Sequence, residues 1–116
     1  MYLRNQFTCP VEIILDMIRG KWKPIIIWRL RFGPKQLSKL QRDIVGINQK
    51  MLIQHIKELQ EYGIVAKNVY DGYPLKVEYY LTEMGVRIVQ GLEIFQQIGH
   101  DYIAQVGPEK FEMKKI

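Results

Sequence analysis

The stretch that decides the fold runs from Ser38 to Lys57, SKLQRDIVGINQKMLIQHIK. Its first four residues have the S-x-x-[EQ] spacing of a capping box, which predicts that a short helix begins at Ser38 and stops near Gly46. Asn48 is a residue type that caps helices, and it predicts the start of a second helix. Two helices joined by a short glycine turn are the pattern of a helix-turn-helix.

The second helix of this pair has two chemically distinct faces. Leu52, Ile56 and Leu59 recur at i, i+4 and i+7 and predict its buried side. The opposite side begins with an amide and an amine, and the first residues of a helix that enters the major groove meet base edges. Glutamine can bond adenine and lysine can bond guanine there. The predicted base-reading residues are Gln49, Lys50 and, one turn later, Gln54.

The positive charge of the chain is concentrated in the same region. Residues 19–57 contain ten Lys and Arg and one acid, Asp43, a local charge of +9 in a chain whose net charge is +5. A regional positive field is typical of a protein whose partner is a polyanion. Double-stranded DNA is the partner that this pattern favours.

Two strands follow the second helix and predict a wing. Residues 64–70 are apolar and β-branched, residues 76–81 alternate in polarity, and Asp71-Gly72-Tyr73-Pro74 forms the turn between them. Other cations and polar groups near the helix pair and the wing are suited to phosphate contacts, which position a protein without specifying sequence. The predicted backbone and wing contacts are Ser38, Lys39, Lys57, Tyr73 and Lys76.

Helices are predicted at both ends of the chain, and the last one supplies apolar surface beyond what the core needs. Cys9-Pro10-Val11-Glu12 predicts the start of a first helix, with Glu12 bonding free backbone N–H groups. Thr82 predicts the start of a long last helix, which continues to about Ile103. Exposed, its apolar stripe would form a patch that monomers avoid, so we expect a homodimer. The predicted dimer-interface residues on this helix are Ile88, Leu92, Phe95, Ile98 and Tyr102.

Length and composition indicate one domain and exclude several classes of function. The 116 residues suit a single domain at 9–106, mainly α with a small β-hairpin (α+β), between an arm at 1–8 and a frayed tail at 107–116. No apolar run long enough to cross a membrane and no signal segment is present, so we expect a cytoplasmic protein without a membrane partner. Isolated His55 and His100 form no metal motif, and no phosphate-cradling motif occurs. We therefore expect no enzyme and no metal site.

Cys9 is the only cysteine and the only residue with plausible redox chemistry. A helix start favours the thiolate form of a nearby cysteine, which is the reactive form. A lone cysteine can equally be a small buried apolar residue. Both interpretations stay open from the residues alone.

The chain resembles the HxlR-type winged helix-turn-helix transcriptional regulators of bacteria and archaea. The matching segments are Cys9-Pro10-Val11-Glu12, Gly20-Lys21-Trp22-Lys23, the residues 46–52 GINQKML, Val77-Glu78-Tyr79 and the residues 81–85 LTEMG, in the family's order. The resemblance implies a homodimer held by its first and last helices, which places Val11 and Ile14 of the first helix at the interface as well. It also implies a dyad-symmetric operator, where the dimer represses or activates a gene, and no cofactor. Some members use a cysteine matching Cys9 to sense electrophiles or oxidants, so a small reactive effector at Cys9 is implied as well.

Two other functions remain as alternatives. A winged helix can be a protein-interaction module without specific DNA binding, with the apolar last helix as its partner site. RNA binding is less favoured, because the wing lacks the interleaved aromatic residues of a base-stacking platform. The expected function is a sequence-specific DNA-binding regulator, a repressor in the first instance.

Overall fold

The computed structural model describes residues 5–112, and within them it has five α-helices and one antiparallel pair of strands. The order is α1 (Val11–Met17), α2 (Trp22–Arg29), α3 (Leu37–Asp43), α4 (Gln49–Glu61), β1 (Val65–Tyr70), β2 (Lys76–Leu81) and α5 (Glu83–Val106). A 3-10 turn, Pro108–Lys110, follows α5. The helix pair α3–α4 followed by a hairpin confirms the predicted winged helix-turn-helix fold.

The core forms where α2 crosses α3, α4 and α5. Ile26 and Ile27 of α2 are completely buried, as the unbroken apolar run of this helix leads one to expect. Leu52, Ile56 and Leu59 of α4 are buried against the same cluster, which confirms the predicted inner face of α4. Burying whole Leu and Ile side chains contributes about 1.5–3 kcal/mol each, so this face fixes the orientation in which α4 offers its outer side.

Two helix starts are formed by the predicted side chains. Asn48 Oδ1 accepts a hydrogen bond of 2.8 Å from the Met51 backbone N–H at the start of α4. Thr82 Oγ1 accepts one of 3.3 Å from the Gly85 N–H at the start of α5. These bonds satisfy backbone donors that a helix cannot pair internally.

The predicted helix start at Ser38 is wrong. The helix α3 begins at Leu37 after an extended Gln36, and no side chain caps it, so Ser38 is the second helical residue. The cause is a contact distant in sequence. The backbone of Lys35 donates to Tyr79 O at 2.9 Å and accepts from Tyr79 N at 2.8 Å, which fixes the chain before Ser38 is reached.

The predicted hydrogen bonds to Glu12 form at the start of the first helix. Glu12 Oε2 accepts hydrogen bonds from the backbone N–H groups of Thr8 at 2.7 Å and Cys9 at 3.0 Å. The helix α1 ends at Met17, before Gly20, whose φ of +98° is a conformation that favours glycine. Pro24 lies in the first turn of α2, where its missing N–H costs no helical hydrogen bond.

The last helix is longer than predicted and a ring contact follows it. The helix α5 continues to Val106, and the Phe111 ring meets the Tyr102 ring edge-on with 6.4 Å between centroids. Phe111 thus lies beside the apolar surface of α5, and the predicted frayed tail at 107–116 stays a prediction. Residues 113–116 of the tail and 1–4 of the predicted arm lie outside the described residues.

Candidate nucleic-acid interface

The outer face of α4 carries the residues predicted to read bases. Gln49, Lys50 and Gln54 are all exposed, and Lys57 follows on the same helix. Gln49 and Lys50 form the first turn, which is the part of a recognition helix that meets base edges. Ile53, 46% exposed on this helix, was not among the predicted site residues. An apolar side chain there can contact a thymine methyl group.

A buried ion pair joins α4 to α2. Lys23 Nζ lies 3.3 Å from Glu58 Oε1, and the two side chains are 3% and 19% exposed. The Lys23 ammonium also lies 5.6 Å from the centroid of the Tyr62 ring. Burial and then the nearby Glu58 charge raise the pKa of the Tyr62 hydroxyl. Together with the apolar core, these contacts hold α4 against α2.

His55 is a half-buried residue at the boundary of the α4 core. Its Nδ1 lies 3.5 Å from Glu58 Oε1, and its side chain is 23% exposed. Across residues 5–112 no three His, Cys, Asp or Glu side chains are grouped as metal ligands would be.

An open, mainly cationic cleft of about 440 Å³ lies between α3 and the wing. The two backbone hydrogen bonds between Lys35 and Tyr79 of β2 bring its walls together. Lys39 and Lys76 were predicted as phosphate contacts, whereas Lys35 and Arg42 were missed although both belong to the basic region. The cleft is lined by Pro34, Lys35, Gln36, Lys39, Arg42, Lys76 and Glu78.

Asp43 pairs with two of the cleft lysines. Its Oδ2 lies 3.0 Å from Lys35 Nζ and its Oδ1 lies 2.9 Å from Lys39 Nζ. The Lys39 hydrogen bond, with that of Lys35, lowers the pKa of the Asp43 carboxyl below its ordinary value. Lys39 is therefore an ion-pair partner of Asp43 as well as a predicted phosphate contact.

The wing extends the polar surface beyond the cleft. Tyr73, in the turn between β1 and β2, is fully exposed. Lys76 Nζ lies 5.2 Å from the centroid of the Tyr70 ring and 3.7 Å from Glu78 Oε2. Ser38 is exposed on α3, so it can reach a phosphate as a helix side chain and not as a cap.

The basic region does not form one surface. Lys23 is buried with Glu58, and Arg19 pairs with Asp16 at 3.1 Å. The Arg31 guanidinium lies 4.1 Å from the ring centroid of Trp28 and 4.1 Å from that of Phe32. Burial and then the Arg29 charge lower the pKa of Arg31. The count of +9 therefore overstates the charge available to a polyanion.

An apolar groove of about 460 Å³ lies between α1 and α5. Among the predicted dimer residues, Val11, Ile14, Ile88, Leu92 and Phe95 line it. Ile98 and Tyr102, each 57% exposed, continue the apolar surface along α5. Leu15 of α1, 52% exposed, also lines the groove and was not predicted. Cys9 is exposed just before α1, within two residues of Val11.

The fold, the exposed face of α4 and the cationic cleft beside the wing define a winged helix-turn-helix DNA-binding protein. The chain belongs to the HxlR-like helix-turn-helix family, whose model matches residues 17–107. It is a transcriptional regulator and not an enzyme, as predicted. No helix within residues 5–112 is long and apolar enough to cross a membrane.

Similar proteins are regulators of the same kind. The HTH-type transcriptional regulator YkvN of Bacillus subtilis is 41% identical over 101 residues, covering 87% of this chain and 86% of YkvN. The crystal structure of the HTH-type regulator ytcD is 38% identical, with a TM-score of 0.78 over 84% of this chain and 99% of that one. The redox regulator HypR in its oxidised form is 39% identical, with a TM-score of 0.75 over 80% and 96%.

Proposed function

We propose that the protein is a cytoplasmic homodimer that binds a dyad-symmetric operator and represses the adjacent gene. The observation that carries this proposal is the exposed first turn of α4, with Gln49 and Lys50 facing outward beside the cationic cleft. In a two-fold dimer, two copies of α4 enter successive major grooves about 34–36 Å apart. A dimer seated across a promoter in this way blocks transcription.

Base reading and backbone positioning are assigned to different residues. Gln49, Lys50 and Gln54 contact base edges, and each good bidentate contact discriminates against the wrong base by about 1–3 kcal/mol. Phosphate contacts come from residues around the cleft and wing, which set register without reading sequence. The positioning residues are Ser38, Lys39, Lys57, Tyr73 and Lys76.

Competition binding tests this division. The operator is first selected from random duplexes by the wild-type protein, and its affinity is then compared with that of a scrambled duplex. We expect Lys50→Ala or Gln49→Ala to lower the preference for the operator about fivefold or more, as the loss of one base contact implies. Lys39→Ala should weaken both duplexes alike. An unchanged preference in Lys50→Ala would show that the reading face is misassigned.

The groove between α1 and α5 supports the homodimer. Phe95 and Leu15 are more than half exposed there, and the HxlR-like family to which the chain belongs is typically homodimeric. A second copy would cover these side chains and remove an apolar patch from water.

Cys9 is the proposed site of redox or electrophile response. Its thiol is exposed directly before α1, so modification there would act on the dimer surface. The similar protein HypR is a redox regulator, solved in oxidised and reduced forms. We expect diamide or an alkylating agent to change operator binding in the wild type and not in Cys9→Ser. An equal change in both proteins, or no change in either, would remove Cys9 as the sensor.

A further inference from the structure

Asp43 is the only acid among residues 19–57, and it pairs with two lysines of the cationic cleft. It lies on α3 against the cationic cleft, with Lys35 Nζ at 3.0 Å and Lys39 Nζ at 2.9 Å on its two oxygens. Its side chain is 17% exposed and that of Lys35 is 21% exposed. The Lys35 pair is therefore partly shielded from solvent, where ion pairs are screened less by salt, whereas the Lys39 side chain is 52% exposed.

The other charges of the cleft are arranged differently. Lys76 Nζ is 3.7 Å from Glu78 Oε2, and both side chains are more exposed than Asp43. Arg42 makes no ion pair with any residue in the described range 5–112. Among the four cations that line the cleft, Arg42 is therefore the one whose positive charge no acidic side chain of residues 5–112 balances in the absence of DNA.

We propose that the cleft binds a backbone phosphate of double-stranded DNA and that Asp43 is an internal competitor which suppresses non-specific DNA binding. This inference rests on the proposed DNA-binding face. The Asp43 carboxylate accepts charge-assisted hydrogen bonds from both lysines, as a phosphate would. A phosphate that enters the cleft must share the lysines with Asp43 or displace it.

The consequence for specificity follows from the mobility of lysine. A free lysine has a flexible four-carbon stem and can follow phosphates in many registers, which favours any duplex. Asp43 restrains both ammonium groups at one position. The restrained ammonium groups bind a phosphate with good geometry only when base contacts by α4 hold the duplex in register. The restraint therefore weakens binding mainly to random DNA.

The test compares Asp43→Asn with the wild type on operator and scrambled duplexes across a salt series. The slope of log affinity against log salt should steepen by about 0.9 for each cleft that gains a phosphate contact. At 50 mM salt we expect affinity for the scrambled duplex to rise about threefold or more, and preference for the operator to fall. The control is Glu109→Gln, which removes one negative charge in the turn after α5 and should leave the slope unchanged.

A second background separates this mechanism from a general change in charge or structure. In a Lys35→Gln, Lys39→Gln protein no lysines remain for Asp43 to restrain, so adding Asp43→Asn should leave the salt slope as it is. Among single variants, Arg42→Gln should make the salt slope shallower by more than Lys39→Gln does, because Asp43 already compensates the charge of Lys39. This last comparison keeps the inference testable if Asp43→Asn does not fold.

Specific outcomes overturn the inference. A folded Asp43→Asn with an unchanged slope, or with weaker binding to the scrambled duplex, contradicts it. The inference is also contradicted if Asp43→Asn steepens the salt slope equally in the Lys35→Gln, Lys39→Gln background. Equal salt slopes for Arg42→Gln and Lys39→Gln would contradict it as well. If any of these occurs while Lys50→Ala still loses operator preference, the proposed function stands and only the role of Asp43 is wrong. If Lys50→Ala keeps its preference, the proposed reading face has failed.

Discussion

Gly85 illustrates a residue whose importance only the packing reveals. A Cβ added at this position would lie 2.5 Å from the Ile64 backbone oxygen, in addition to contacts with Leu81. We expect Gly85→Ala to lower the free energy of unfolding by about 1–3 kcal/mol, the usual cost of overpacking. Urea denaturation measures this change.

The matched control is Gly99→Ala in the same helix, where an added Cβ has no neighbour within 4 Å. Alanine is the better helix former at such a position by about 1 kcal/mol, so no loss of stability is expected. Equal destabilisation by both substitutions would show that the Ile64 contact is not the cause.

Other single residues show which features of the fold can be predicted locally. The caps at Asn48 and Thr82, and the hydrogen bonds that Glu12 accepts from the preceding backbone, were predictable because both partners lie within four residues. Ser38 was misassigned because the start of α3 is fixed by backbone bonds between Lys35 and Tyr79, 44 residues apart in the chain. Local signals cannot report such a contact.

At the scale of elements, the start of α4 and the bounds of β1 and β2 follow from the sequence to within a residue, whereas the contacts that hold α4 in place do not. Periodicity identified the buried face through Leu52, Ile56 and Leu59. Lys23 was counted as surface charge, because nothing in the sequence links it to Glu58 on another helix. The cleft was missed for the same reason, since α3 and β2 meet only in the folded chain.

The ion pair between α2 and α4 makes a prediction about stability. Lys23→Met leaves the Glu58 carboxylate without its buried partner, so we expect a loss of roughly 3 kcal/mol in the free energy of unfolding. The double variant Lys23→Met, Glu58→Leu should recover much of this loss, because apolar side chains of similar size can replace a buried pair. Urea denaturation of the four proteins of this cycle provides the measurement. A double variant as unstable as the sum of the singles would contradict the account.

The whole molecule carries two surfaces with opposite chemistry. The exposed face of α4 and the cationic cleft suit DNA, and the apolar groove between α1 and α5 suits a second copy of the chain. The apolar width of the last helix was enough to predict an apolar interface on α5, whereas the contribution of α1 was implied by the family resemblance. The distribution of positive charge over the surface was not predictable, because folding buries several of the basic side chains or pairs them with acids.

Dimer formation is tested by placing a charge in the groove. Phe95 is 66% exposed in the single chain, so Phe95→Asp should fold but lose the apolar contact with a second copy. Light scattering should show a dimeric wild type and a monomeric variant, and affinity for the operator should fall at least tenfold. Phe32→Asp is the control, because Phe32 is 82% exposed and lies outside the groove. A monomeric wild type, or a Phe95→Asp protein that stays dimeric, would exclude this interface.

The most direct test of two-fold recognition is a hydroxyl-radical footprint of the wild-type protein on its selected operator. We predict two dyad-related protected segments on one side of the duplex, with their centres about 10–10.5 base pairs or a whole multiple of that apart. Lys50→Ala should lose both segments together at the same protein concentration. A single protected segment, or two whose sequences are not related by a dyad, would contradict the account.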